Sequence, residues 1–414
     1  FSGTNWIASV IVNGVFIGWH KSTRVPWKID ITKAIKPGEV NEILIGIKDV
    51  WYAIDSQFHK SSLNRMRNIP IQNFGHIRFV APIYPSTKGD ADGTECGITD
   101  PVSLIVAGQV YVEDVFIKTS VKEGKITAKL RLKSNAETSR RITLESEAVF
   151  DKTNETEKRF PVQKIEISPN GSAEYQITSE WKDAKFWWPG DDPANLYRFR
   201  TRLLGDGNLI DETETTFGFR EITIDGIYIR VNGMRYNFWN LLDGLKGRTP
   251  EEMLEHFKKG NNRFERFSED LRLRRFFGPR RFQLDWTDAH GIPGRLSTMI
   301  DGMFINYDLS NPLVWENFRE HIQQVVLAYR NHPSVFFYSL ENEIGFINGR
   351  LAYRHIMDRV ESELKKLIEV AKTYDPTRPC FLDGSGALRD QSSDINCLHY
   401  PEAQWDEYPE GAYE

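Results

Sequence analysis

NHPSVFFYSLENE, residues 331–343, sets an almost unbroken apolar run directly before Glu341, Asn342 and Glu343, residue types that resist burial. Apolar runs without alternation mark strands covered on both faces, as in parallel β/α architecture, where polar residues at a strand's C-terminal end open into the site. The stretch therefore predicts a strand over residues 335–340 with its mouth at 341–343. Its neighbours agree. Asn311 and Pro312 open a helix in which Val314, Phe318, Ile322, Val325 and Tyr329 recur at spacings of three and four and form one stripe. Another helix is predicted over residues 351–374, ending before DPTRP. Upstream, Thr249, Pro250 and Glu252 make a capping box, with Met253, Leu254 and Phe257 on one face and Gly260 at the close. Each helix is followed by a short apolar strand candidate, NRFERF, VFFYSL or CFLDG, which is the repeat of a β/α barrel.

Ahead of this region the text is strand-rich. Residues 1–108 carry WIASVIVNGVFIGWH, WKIDIT, NEILIGIKDV, GHIRFVAPIY and PVSLIVAG, punctuated by the turn signals VNG and KPGE, and predict an antiparallel sandwich. Residues 109–220 carry YVEDVFIKTSV, KITAKLRLKS, RRITLESEAVF, SAEYQITSEW, YRFRTRLL and ETTFGFREI, a spacing that fits an immunoglobulin-like β-sandwich without a cysteine staple. The expected fold is multidomain, β followed by α/β, with domains at 1–108, 109–220 and 221–414.

Composition bounds the function. A chain of 414 residues exceeds one ordinary domain of about 150 residues. Apolar residues at 40% with charged residues at 27% are globular usage rather than the signature of disorder. A net charge of -5 supplies no global basic field, so neither nucleic acid nor an anionic membrane is an expected partner. Cys96, Cys380 and Cys397 are odd in number and widely spaced, which suggests neither a disulfide framework nor a metal site. No GxGxxG, P-loop or HExxH stretch occurs, and no cofactor is expected. FSGTNWIASV has no signal-peptide pattern, and the compartment stays open, with a periplasmic or extracellular place preferred to a cytoplasmic one. The 11 Trp suit either sugar stacking or core filling.

A carboxylic acid in a partly desolvated strand mouth has a raised pKa, which suits a general acid, and the adjacent Asn342 can donate to and accept from a hydroxyl-rich ligand. The same residues also suit a solvated strand-to-helix loop. Here the stretch resembles the acid/base motif of glycoside hydrolase family 2, Asn-His-Pro-Ser, an apolar strand, then Asn-Glu. VNGVFIGWHKSTRVPWKIDIT with PGEVNEILIGIKD is similar to that family's N-terminal jelly-roll, and YVEDVFIKTSV with FWWPGDDPANLYRFRTRL and TTFGFREI to its immunoglobulin-like domain. The blocks come in the family's order and cover nearly the whole chain.

The resemblance implies a jelly-roll, an immunoglobulin-like sandwich and a (β/α)8 TIM barrel, incomplete in this chain. It implies a retaining exo-β-glycosidase acting on an oligosaccharide or other glycoside, β-galactosidase first, with β-glucuronidase, β-mannosidase and glucosaminidase open. Glu343 would be the acid/base, and Asn342 would bond the sugar 2-hydroxyl. A second carboxylate about 5 to 5.5 Å from the first attacks the sugar carbon in retaining enzymes. In the family it lies on the seventh strand, whereas SDINCLHYP resembles the sixth. Glu402, Glu407, Glu410 and Glu414 follow that strand too closely, so the nucleophile is expected beyond Glu414. A six-stranded barrel would expose unpaired edges, and a longer native chain is expected. Glu341 stands where many members carry Gly.

Further candidates come with alternatives. His399 and Tyr400 end the sixth strand candidate, and line the sugar pocket or fill the core. Trp405 is a stacking platform or loop packing. Arg266 is a pocket residue or half of a structural ion pair, and Arg263 competes with it in register. Trp239 and Asn240 end the first strand candidate and reach the sugar or the rim. LRLRRFFGPRRF, residues 271–282, is a nucleic-acid patch, a solvated loop or a reader of anionic sugars. The rival from another class is a carbohydrate-binding protein with a degenerate barrel.

Overall fold

The computed structural model describes residues 1–5, 7–21, 25–48, 97–238, 249–260, 264–267, 280–300, 302, 307, 309–350, 353–386, 388–390 and 392–397. In the first region a three-stranded antiparallel sheet places Ile7–Val12 between Val15–His20 and Ile43–Lys48, and Thr4–Asn5 pairs with Gly97–Ile98. The VNG signal makes the expected tight hairpin. Asn13 and Gly14 both take positive φ, 49° and 81°, as a two-residue turn between right-twisted strands requires. Two strand expectations fail here. WKIDIT forms no strand, because the Asp30 carboxylate accepts from the Thr32 N–H at 2.9 Å and turns the chain, while Trp27 stacks between Phe1 and His20. PVSLIVAG lies exposed without a ladder, Val106 being 90% accessible, since an apolar run becomes a strand only where a partner edge meets it. GHIRFVAPIY lies outside the described residues.

The second region is two antiparallel sheets over one core. Val110–Ser120, Lys125–Ser134 and Ser172–Glu180 form one sheet. Arg140–Phe150, Gln163–Ile167, Tyr197–Gly205 and Asn208–Phe217 form the other, with Glu155–Arg159 paired on Arg140–Phe150. Alternation is clear in Lys125–Ser134, where Ile126, Ala128, Leu130 and Leu132 are buried and meet Leu144, Tyr197, Phe199 and Leu203 of the facing sheet. Glu155–Arg159 is missing from the expected strands because it is short and largely charged, and Gln163–Ile167 because five residues are too few for its alternation to stand out.

In the third region Glu265–Phe267, Gly294–Ser297, Val335–Asn342 and Cys380–Asp383 lie side by side in a parallel sheet, and Ile395 bridges in parallel to Phe381 as the next neighbour. Helices Pro250–Lys258, Arg280–Ala289, Pro312–Tyr329 and Met357–Tyr374 alternate with the strands. Both predicted caps are present: Thr249 and Glu252 close a capping box, and the Asn311 side chain accepts from the Leu313 N–H. Three expectations change. The helix predicted from residue 351 begins at Met357, after a π-helical turn, Ile344–Arg350, and a short 3-10 turn, Arg354–Ile356. Arg280–Ala289 takes the last three residues of the expected loop 271–282 into a helix, and Gly294–Ser297 adds a strand that was read through. The central strand runs on through Asn342, two residues past the expected 335–340.

Asn331, which opens the NHPS segment, and Arg330 just before it hold the sandwich to the parallel sheet. Asn331 accepts from the Ile117 N–H at 2.9 Å and donates to the Val115 carbonyl at 2.7 Å, while Arg330 pairs with Asp114. From the sandwich side, Arg220 donates to the Pro333 and Val335 carbonyls, each at 2.8 Å. Arg378, paired with the fully buried Asp375, donates to the Val335 and His332 carbonyls. The entry to the central strand is thus fixed by paired buried charges that also satisfy backbone groups.

Candidate active site

Strand geometry decides what the end of Val335–Asn342 presents. Tyr338 and Leu340 pack with Ile322, Val325 and Leu364 of the helices, whereas Phe337 packs with Phe264 and Phe381 on the opposite face. With a side-chain period of two, Ser339 and Glu341 share the face of Phe337, the interior of the sheet. Asn342 closes the strand half-buried, and its backbone is clamped from the neighbouring loop: it donates to the Ile300 carbonyl at 2.8 Å and accepts from the Gly302 N–H at 2.7 Å.

Glu343 is 1% exposed and has φ +60°. A left-handed backbone is uncommon for a glutamate and persists only where its surroundings over-determine it. They do so here. The Glu343 N–H donates to the Asp383 carbonyl at 2.6 Å, and Gly302 lies so close that a Cβ on it would stand 2.8 Å from the Glu343 carbonyl oxygen. Glu343 is therefore held in a fixed, buried place at the C-terminal end of the sheet rather than in a solvated loop.

Glu341, equally buried, has a different task. Its Oε2 accepts from the Ile344 N–H at 2.6 Å and so caps the π-helical turn that follows. That turn is held again by the Gly345 N–H on Ser385 Oγ at 2.7 Å. Such turns are frequent at functional sites, because the extra residue re-aims the chain.

On the same interior face Arg295 pairs with Asp383 at 2.7 Å and lies over the Phe381 ring. Cys397 Sγ donates to the other Asp383 oxygen at 3.2 Å. Burial, with the Asp383 charge, pushes the Cys397 thiol up to about 12, so it stays protonated and can donate. Arg295 and Asp383 went unnoticed in the sequence. The usable signal was Asp383 ending a short apolar run before Gly384, the pattern that drew attention to Glu343.

Of the other predicted residues, Trp239, Asn240, His399, Tyr400 and Trp405 lie outside the described residues, as do Arg263 and Glu402, Glu407, Glu410 and Glu414. Arg266 falls within Glu265–Phe267, with its backbone in register with Arg295. Asp285, Asp288 and His332 bring one ligand atom each within 4.8 Å of one another. Both Asp288 oxygens are engaged, one with His332 Nδ1 at 2.6 Å and one with the Ser334 N–H at 2.9 Å, which makes the group a strut under the strand entry.

Two family models match the chain, glycosyl hydrolases family 2 over residues 110–220 and its TIM barrel domain over residues 286–410, together more than half of it. A β-glucuronidase of Paenibacillus borealis is 24% identical over 411 residues, covering 90% of this chain and 59% of its own length. A β-galactosidase of Alteromonas mediterranea is 24% identical over 408 residues, covering 94% of this chain and 33% of its own length. Among solved structures, a putative β-galactosidase from Bacteroides fragilis has a TM-score of 0.64 at 20% identity, over 92% of this chain and 51% of that one. Bacteroides uniformis β-glucuronidase 2 has 0.68 at 17%, over 92% and 44%. The chain thus spans a third to three fifths of the length of these curated relatives, and the likeness shows a multidomain fold of β domains followed by a TIM barrel.

Proposed function

The chain belongs to glycosyl hydrolase family 2, and from that premise we propose that it is part of a retaining exo-β-glycosidase in which Glu343 is the acid/base. The observation that carries the reading is the fixed, buried Glu343 at the C-terminal end of the central parallel strand, where a barrel gathers its chemistry. Glu343 protonates the glycosidic oxygen as it leaves, then takes a proton from the water that releases the sugar. Asn342 bonds the sugar 2-hydroxyl, an interaction that strengthens as the transition state forms. The nucleophile is a carboxylate outside the described residues. We also read the first region as a jelly-roll, the second as an immunoglobulin-like sandwich, and the domains as 1–108, 109–220 and 221–414.

β-Galactosides are the first substrate class of this proposal. β-Glucuronides are the second reading, favoured by the arginines of residues 271–282, which suit a carboxylate on the sugar. Initial rates on p-nitrophenyl β-galactoside and β-glucuronide separate the two. The mechanism is tested by Glu343→Gln with aryl glycosides of graded leaving group, with and without azide. Expected are a rate loss of about 10²-fold or more on poor leaving groups, in the range of general acid–base catalysis, near-normal glycosylation with 2,4-dinitrophenolate, and azide rescue giving a β-glycosyl azide. Equal loss on all substrates without rescue sinks the assignment.

A further inference from the structure

Where the sandwich meets the parallel sheet there is a cavity of about 240 Å³. It lies at the entry of the central strand, at Pro333, whereas Glu343 is eight residues beyond Val335, roughly 25 Å away at ~3.3 Å per residue. The cavity is separate from the catalytic end.

Four cationic side chains line it, Lys118, Arg220, Arg330 and Arg378, with Glu221 as the single carboxylate among the lining residues described. Their donors are unequally used. Arg378 is fully engaged by Asp375 and two carbonyls. Arg220, 5% exposed, places Nε and Nη2 on carbonyls, leaving Nη1 without a partner among the described residues. Arg330, 6% exposed, spends Nη1 on the Tyr374 carbonyl and Nη2 on Asp114, while its Nε is buried with no hydrogen-bond partner. The half-buried Lys118 side chain makes no hydrogen bond or ion pair among the described residues.

The nearby anions are already committed. Glu221 accepts from Ser120 Oγ at 2.8 Å and from the Lys122 N–H at 2.9 Å. Asp375 is held by Arg378, Tyr338 and Thr377. Burial and the charge of Arg378 push Arg220 well below the usual guanidinium range, and burial with Lys129 lowers Lys118. Arg330 is thus answered by Asp114 and its Nε is closed off, whereas Arg220 keeps an unused N–H donor in a guanidinium lining the polar cavity, a costly arrangement unless an anion answers it.

The geometry points to a binding site for a small tetrahedral oxyanion, phosphate or sulfate in kind, held by Lys118 and Arg220 and locking the sandwich to the barrel. Charge-assisted N–H bonds from guanidinium groups match such an ion in shape and charge.

The test follows thermal unfolding of the full-length protein as inorganic phosphate replaces chloride at fixed ionic strength, over low millimolar concentrations where general salting effects are small. Binding to the folded state alone gives a Tm that rises with the logarithm of phosphate above the dissociation constant. Lys118→Met is expected to raise the phosphate needed for a given shift by about 10-fold, the effect of losing one charge-assisted contact. Lys118→Glu, which brings an anion to the cavity, is expected to raise Tm in chloride and abolish the phosphate response. Arg220 is left alone, because it also holds the strand entry. An equal response in wild type and both variants, or none in wild type, overturns the site.

Discussion

Gly302→Ala tests whether the placement of Glu343 carries catalysis. A methyl group on Gly302 would meet the Glu343 carbonyl oxygen at 2.8 Å, the Glu343 carbonyl carbon at 3.0 Å and Asn348 Oδ1 at 3.0 Å. An ordinary carbon–oxygen contact is about 3.3 Å, so the overlap is about 0.5 Å. Two of these atoms are backbone and cannot step aside by changing rotamer. The Glu343 peptide is also tied to Asp383 on its far side, and Asn342 to Gly302 itself. The strain must therefore move Glu343 or the Gly302 segment by several tenths of an ångström. If a 1 Å misplacement costs about 10²-fold in rate, half of that costs about 10-fold. Overpacking should cost about 1–3 kcal/mol of stability. The assay is kcat on aryl β-glycosides of graded leaving-group pKa, with urea unfolding in parallel. A displaced acid should fail most where the leaving group needs a proton, steepening the dependence on leaving-group pKa. A variant that loses stability as expected while kcat keeps its value and its leaving-group dependence would refute the reasoning.

Asn331→Ala removes two hydrogen bonds across the junction and strands the buried Val115 carbonyl and Ile117 N–H; urea unfolding should show a loss of about 2–4 kcal/mol, and kcat per folded molecule should fall as the strand entry loosens. Burial would raise the Asp375 carboxyl, but Arg378 and the Thr377 hydrogen bonds outweigh it and hold it below its ordinary value. Its contribution is thus fully present above the unfolded carboxylate pKa of about 3.9 and is lost as pH falls through the lower folded value; Tm from pH 6 to pH 2.5 should fall less steeply in Asp375→Asn than in wild type, from a lower starting point. Burial pushes both Cys380 and Cys397 up to about 12. Iodoacetamide at pH 8 should therefore label them about three orders of magnitude more slowly in the native protein than in urea, read by peptide mass spectrometry, because the thiolate is the reactive form.

The parts legible in the sequence are those whose signals are local. Pro312–Tyr329 announced itself by a cap and a continuous stripe, Lys125–Ser134 by clear alternation and Arg140–Phe150 by alternation over most of its length, since burial on one face leaves its period in the text. Gly294–Ser297 is four residues long and starts directly after Pro293, too short for a period to be read. The π-helical turn after Glu343 had no readable pattern either. It depends on Glu341 bonding the Ile344 N–H and Ser385 bonding the Gly345 N–H, and the second of these joins residues forty positions apart. Glu343 itself stood out because a carboxylate after an apolar run is costly without a purpose. Arg295 and Asp383 did not, because a buried ion pair becomes visible only when two strands lie side by side.

The Asn331–Glu343 segment is fixed at both ends by different means, and this explains how an uncommon backbone can stand at its tip. At the entry, Asn331 bonds two sandwich backbone groups, while Arg220 and Arg378 both donate to the Val335 carbonyl. At the exit, the Ile300 and Asp383 carbonyls receive consecutive N–H groups, from Asn342 and Glu343, and the Gly302 N–H meets the Asn342 carbonyl. Between these anchors lies a strand whose first seven residues are buried, so the segment cannot relax by sliding or twisting. A φ of +60° at Glu343 costs on the order of 1–3 kcal/mol. It is offset only if both anchors hold. The sandwich therefore does more than carry the barrel: by fixing where the central strand begins, it helps determine where the carboxylate at its end is placed.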